Sequence, residues 1–341
     1  MIRRSLLALA AATTAAGVLA ACGGGASAGG GADDPAQTTI RYQASPGMAD
    51  TVEVAAALGY LDPLKVEYVG DVQGGPEALR ALATDQVDIG GAFNGAIAKA
   101  VATGVPIKGV VGYYGSTKDV RQSLTVLKDS PIKGPQDLIG RRIAVNTLGA
   151  NSEAVIDTYL RRGGLSDEEI AKVTLVPLPS ISMEGALRQG QVDVAQLGFT
   201  SREVAFDHGG VRSLVDDIDL VGEYTGGALA LRNDFIAKNP EATKVLVAGL
   251  ANSAAYIRDA PRAEVVKTLT DYRTKQGRPE AAKALASWGG NGVPVEGGVL
   301  KDSDFELWTD WLVAEGQIDQ DAIKVGDIYT NEFNPYAKET S

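Results

Sequence analysis

The sequence predicts a mixed α/β chain, with two stretches of alternating strand and helix followed by a helical C-terminal part. Three observations predict it. Short β-like runs alternate with helical segments through the first third. The same alternation restarts beyond a connecting segment near residue 122. The last third reads as helix after helix. Strands that alternate with helices imply open, mostly parallel sheets.

The elements can be justified in order. Residues 1–21 read as a signal peptide. Arg3 and Arg4 give a positive start, and the apolar run from Leu6 to Ala20 is too short for a membrane span. Leu19-Ala20-Ala21-Cys22 matches a bacterial lipoprotein box, in which cleavage leaves the Cys22 thiol to carry a diacylglycerol anchor (a palmitate-bearing lipid). The alternative is an ordinary secretory signal with a chance cysteine. Cys22 is the only cysteine, which excludes an intrachain disulfide and a cysteine-based metal cluster. Residues 22–38 are rich in Gly, Ala and Ser. They cannot build a core and read as a flexible tether.

Beyond the tether, residues 39–43, 64–69, 87–92 and 107–113 are apolar or β-branched runs and read as strands. Residues 51–59, 76–83 and 96–103 between them read as helices. Residues 123–127 are extended and 142–146 a strand. Residues 152–162 form a helix stopped by Gly163-Gly164. A strand at 173–177, a helix at 183–189 and a strand at 192–197 follow. The last third carries helices at 240–259, 262–276, 279–287 and 304–315. A short repeat runs through this order: Ala78-Leu79-Arg80 precedes Gln86-Val87-Asp88-Ile89, and Ala186-Leu187-Arg188 precedes Gln191-Val192-Asp193-Val194. It is either coincidence or the trace of two lobes of similar build.

Composition bounds the partners. Residues 22–341 suffice for two lobes. The net charge of −11 becomes more negative without Arg3 and Arg4, which argues against nucleic acid and against electrostatic adhesion to anionic lipid. It says little of a ligand, because a pocket can oppose the net charge.

Three segments then carry a resemblance: EALRALATDQVDIGGA at 77–92, SPIKGPQDLIGRRIAVNTLGA at 130–150 and EGALRQGQVDVAQL at 184–197. In order, from about Ile40 to Pro240, they resemble the nitrate/taurine/aliphatic-sulfonate (SsuA/THI5-like) periplasmic binding proteins of ABC importers. The resemblance implies a type II periplasmic-binding-protein fold: two α/β lobes, two crossovers and closure on a small-molecule ligand. It maps lobe one to 39–125 and 222–341, and lobe two to 126–221, with hinges near 121–123 and 220–224. It also implies an ABC permease in the membrane as partner, and an extracytoplasmic location, lipid-anchored at Cys22. The run Gly198-Phe199-Thr200-Ser201-Arg202 departs from the Trp or Pro that sulfonate- and nitrate-type relatives often carry there.

Ligands of open α/β sheets collect beyond the carboxyl ends of strands, so the strand-end loops are the candidates. From lobe one these are Ser45 and Met48, Phe93 and Asn94, and Tyr113 and Tyr114. From lobe two they are Asn146, Thr147, Asn151, Ser152, Phe199 and Thr200. The 146–152 loop leads into a helix start suited to an anionic group. Asn151 or Ser152 could equally be that helix's N-cap. Phe93 reads as either core or ligand contact. Tyr113 and Tyr114 are adjacent in a strand and point to opposite faces, so at most one lines the cleft and the other reads as core. Trp308 and Trp311 read as core packing.

Enzyme chemistry finds little support. His208 is the only histidine, the one G-x-S-x-G string (Gly25–Gly29) lies in the tether without the strand–turn–helix context of an elbow, and no glycine-rich run has the context of a phosphate loop. No cofactor and no metal is expected. Two ligand classes stay open: a small anion or zwitterion of the sulfonate, nitrate or taurine kind, and a neutral heterocycle such as a pyrimidine thiamine precursor. A ligand sensor on the same fold is a further alternative.

Overall fold

The computed structural model describes residues 38–45 and 47–339; the leader and Cys22 lie outside them. The described residues form ten strands: β1 (Thr39–Ala44), β2 (Lys65–Asp71), β3 (Ile89–Phe93), β4 (Ile107–Ser116), β5 (Ser123–Leu127), β6 (Arg142–Val145), β7 (Thr174–Pro177), β8 (Val194–Leu197), β9 (Val211–Asp216) and β10 (Tyr224–Arg232). They form two five-stranded sheets, ordered β2-β1-β3-β10-β4 and β7-β6-β8-β5-β9. In the first, β10 runs antiparallel to both its neighbours, as β5 does in the second. The other pairings are parallel. The chain crosses between the sheets twice, between Ser116 and Ser123 and between Asp216 and Tyr224. The expected division at 125/126 falls inside β5.

The sequence reading named no strand at β9 or β10, yet β10 lies second from the edge of the first sheet. Its residues, Tyr-Thr-Gly-Gly-Ala-Leu-Ala-Leu-Arg, include glycines and alanines of low strand preference. Pairing on both sides and burial on both faces override that preference.

The repeat has a structural counterpart. In the first sheet, Asp88 N–H donates to the Arg41 carbonyl at 2.9 Å, and its carboxylate accepts Arg41 N–H at 2.8 Å. In the second, Asp193 N–H donates to the Arg142 carbonyl at 2.9 Å and its carboxylate accepts Arg142 N–H at 2.9 Å. Each Gln-Val-Asp unit thus pins a helix–turn–strand to the head of the neighbouring parallel strand.

Helices cover both faces of each sheet. On one face of the first sheet Phe93 packs with Phe305, Trp308 and Trp311; on the other, Tyr42 packs with Leu246 and Leu250. The C-terminal helices Pro240–Asp259 and Ser303–Ala314 therefore complete the core of the first sheet. Trp308 and Trp311 are core residues, as their spacing predicts.

Candidate functional site

The carboxyl ends of the parallel strands of the two sheets meet across a cleft, and named contacts close it. Thr200 Oγ1 donates to the Gly47 carbonyl at 2.9 Å. The Tyr114 and Phe199 rings meet edge to face with centroids 5.8 Å apart. A Cβ placed on Gly74 would lie 3.0 Å from Thr147 Cγ2, so the 74 and 147 loops also touch. Each contact joins a residue on the side of the first sheet to one on the side of the second.

Tyr113 and Tyr114 do not alternate as adjacent strand residues should. On β4, Gly112 pairs with Ala228 and Tyr114 with Gly227, so Tyr113 is an extra residue against β10. This β-bulge re-aims the side chain and brings the two rings together, centroids 4.9 Å apart. Room for them comes from missing side chains. A Cβ on Gly227 would collide with the Tyr114 ring, and one on Gly91 would lie 2.7 Å from the Tyr113 ring. Burial raises both phenol pKa values, so both stay protonated hydrogen-bond donors at neutral pH.

Phe199 begins the Phe199–Asp207 helix with φ of 49°, a left-handed conformation rare for a residue with a side chain. Gly198 before it packs against Gln122, where a Cβ would lie 2.7 Å from Gln122 Cγ. Together these hold the Phe199 ring toward Tyr114.

The remaining expected residues divide. Asn146 Oδ1 accepts from Ser152 Oγ at 3.2 Å, bracing the loop from which Thr147 reaches Gly74. Asn151 is buried: Gln122 Nε2 donates to its Oδ1 at 3.0 Å, and its Nδ2 donates to Tyr224 Oη at 3.1 Å. Neither Asn151 nor Ser152 caps the Asn151–Arg162 helix; Ala150 holds that position with no side-chain hydrogen bond. Phe93 lies in the core, 4.9 Å from the Trp308 ring centroid. Asn94 is fully buried, its Nδ2 donating to the carbonyls of Thr225 at 2.8 Å and Asp304 at 3.1 Å. Ser45 and Met48 are half-buried in the 45–48 loop, where the Met48 carbonyl accepts from Arg273 Nη2 at 3.2 Å.

Sequence reasoning missed the groups that support this cleft. Asp217 sits between the two crossovers, accepting from Ser116 Oγ at 2.5 Å, Tyr224 Oη at 3.1 Å and Gln122 N–H at 3.1 Å. Burial pushes its carboxyl pKa up, while those donors pull the other way. Beneath the 45–49 loop, fully buried Glu53 accepts from Arg273 Nε at 2.6 Å and from Arg278. These partners lie far apart in sequence, and no local pattern marks them. Among the described residues no group of acidic, histidine or cysteine side chains could hold a metal, and no helix is long and apolar enough to cross a membrane.

Comparison with known proteins gives this arrangement a context. The family model described as NMT1/THI5 like matches residues 52–264. The taurine-binding periplasmic protein of Escherichia coli (strain K12) is 27% identical over 206 residues, covering 60% of this chain. The chain spans 62% of that relative's length. Among solved structures, the periplasmic aliphatic sulphonate binding protein SsuA from Escherichia coli superposes with a TM-score of 0.63 at 20% identity, over 86% of this chain and 92% of SsuA. The periplasmic nitrate-binding protein NrtA from Synechocystis PCC 6803 gives 0.65 at 14% identity, over 89% of this chain and 88% of NrtA. With well over half of its length matched, and with two α/β sheets joined by two crossovers in the type II periplasmic-binding-protein fold, the chain belongs to the NMT1/THI5-like family.

Proposed function

We propose that this chain is an extracytoplasmic solute-binding lipoprotein, anchored through Cys22, that delivers a small anionic or zwitterionic organic molecule to an ABC permease. Lobe one would comprise the first sheet with the C-terminal helices, and lobe two the second sheet. The observation that carries the reading is the cross-cleft set at the strand ends: Thr200 on Gly47, and Phe199 against Tyr114. A ligand between the lobes would exchange these contacts for its own and bias closure by its differential affinity for the two states. Binding without chemical conversion is part of the proposal. A neutral heterocycle is the second reading, favoured by the aromatic walls Tyr113, Tyr114 and Phe199.

A thermal-shift panel of taurine, short alkanesulfonates, nitrate and pyrimidines tests the ligand class. A true ligand at a hundredfold excess over its Kd adds about 2.7 kcal/mol. A panel without any shift contradicts the proposed range. For the anchor, Cys22→Ser should release the protein from membranes, and full retention would contradict lipidation.

A further inference from the structure

The two sheets meet at a third place besides the cleft and the crossovers. The Asn151–Arg162 helix packs on the second sheet, where Ile156 and Leu160 share a core with Val145 and Val194. Its other side enters the core of the first sheet. Ala154 and Val155 are buried in one cluster with Phe93, Tyr224, Trp308 and Trp311. Polar contacts follow the same side. Asn151 Nδ2 donates to Tyr224 Oη at 3.1 Å, beside the second crossover. Further along, Asp157 Oδ2 accepts from Trp311 Nε1 at 3.3 Å, and at the far end Arg161 Nε donates to Glu315 Oε1 at 2.9 Å. At 1.5 Å per residue, Asn151 to Arg161 is about 15 Å of helix. A seam of that length is a lever. Rotating one sheet against the other about the crossovers has to part or slide its far end, where Asp157, Trp311, Arg161 and Glu315 meet.

We propose that this seam is a clasp that holds the two lobes together, with Asp157 on Trp311 as its pH-sensitive contact, tight in mild acid and looser in mild base. The proposal rests on the two-lobe reading above and adds to it a control on closure that acts without the ligand.

The charges about Asp157 set the sign. Burial, Glu315 from the facing helix and Glu153 from its own push the carboxyl up to about 7, against the Trp311 donor and Arg161. The other acids on elements packed against this helix are engaged elsewhere or point to solvent. Asp217 holds Ser116, Tyr224 and Gln122, Asp219 accepts from Asp216 N–H, and Asp137 accepts from Lys133 N–H. On the Ser303–Ala314 helix, Asp304 accepts from Lys301 N–H, and Glu306 and Asp310 are exposed. Parting the two helices would return Asp157 to water and to about 3.9. A carboxyl whose pKa is higher in the clasped state stabilises that state in full below about 3.9. That stabilisation is lost progressively as pH rises to about 7.

The test is a pulsed electron paramagnetic resonance distance across the mouth of the cleft. Spin labels go on Gln73→Cys and Ile181→Cys, exposed positions just beyond the edge strands β2 and β7. The full chain also carries Cys22→Ser, which removes its one other cysteine. Without ligand, the ratio of short to long distances should fall up to about tenfold from about pH 6 to about pH 8 and level off beyond. Asp157→Asn should give a flat profile. Trp311→Phe keeps a ring and removes the donor that favours the ionised form, so the fall should extend to higher pH. A wild-type distribution unchanged with pH, an equal change in Asp157→Asn, or an unmoved profile in Trp311→Phe overturns the clasp. If the distance then still shortens with taurine, nitrate or a pyrimidine, the two-lobe reading survives that failure. If it answers neither to pH nor to any of these compounds, both fall.

Discussion

Phe199 concentrates the cost of the cleft in one residue. Its left-handed φ of 49° costs a side-chain-bearing residue on the order of 1–2 kcal/mol, and the ring it holds there faces Tyr114. Phe199→Gly should therefore separate the two terms. The glycine relieves the strain and removes the ring's part-buried contact with Tyr114, two effects that oppose each other, so stability to urea should change by less than about 1 kcal/mol. Strand-end logic placed Phe199, Thr200, Thr147 and Tyr114 near the strand ends, but their contacts depend on the bulge at Tyr113 and the left-handed Phe199. Asn151 was legible as a helix start but its role was not. Its partners Gln122 and Tyr224 come from the two crossovers, and such pairings appear only once the chain is folded. The bulge at Tyr113 was equally hidden, because its cause is the paired strand β10.

At the scale of elements, two helix–turn–strand units share one device with different burial. Asp88 is fully buried and paired with Arg41 and Arg232, whereas the Asp193 side chain is 26% exposed. Replacing Asp88 by Ala removes the fully buried carboxylate that Arg41 and Arg232 share and should cost about 3 kcal/mol. Asp193→Ala should cost no more than about 1 kcal/mol. Equal losses in denaturant melts would contradict the difference in burial. A second seam joins the Asn151–Arg162 and Ser303–Ala314 helices. Trp311 Nε1 donates to Asp157 Oδ2 at 3.3 Å, and Arg161 Nε to Glu315 Oε1 at 2.9 Å. Burial, with Glu315 and Glu153 nearby, pushes the Asp157 carboxyl up to about 7, against about 3.9 in an unfolded chain. Between those values the folded state holds the extra proton, so stability falls as pH rises through the window. Asp157→Asn keeps an acceptor for Trp311 and removes the titration. Its melts should show a shallower decline from about pH 5 to about pH 8 and greater stability above pH 7. An unchanged slope would contradict the assignment. Strand-helix alternation was readable wherever an element was apolar and periodic. It failed at β9 and β10, where polar residues or Gly and Ala form strands only because neighbours pair with them.

For the whole molecule, two sheets of the same strand order face each other across the cleft, and each receives an antiparallel strand through a crossover. The chain passes between the sheets at Ser116–Ser123 and Asp216–Tyr224, and Asp217 ties these two crossovers together. The α/β class could be read from the alternation, and the two-lobe plan from the resemblance, with the repeat consistent with it. The ligand could not, because charges near the cleft are placed by tertiary contacts, such as Arg273 on Glu53. The most direct test of a ligand site between the sheets is calorimetric titration of wild-type protein and Phe199→Gly with the panel compound that raises the melting temperature most. Saturable binding by the wild type, weakened at least about tenfold in the variant while its own stability is kept, is the expected result. Equal affinities in the two proteins would place the ligand elsewhere and contradict the cleft as the binding site.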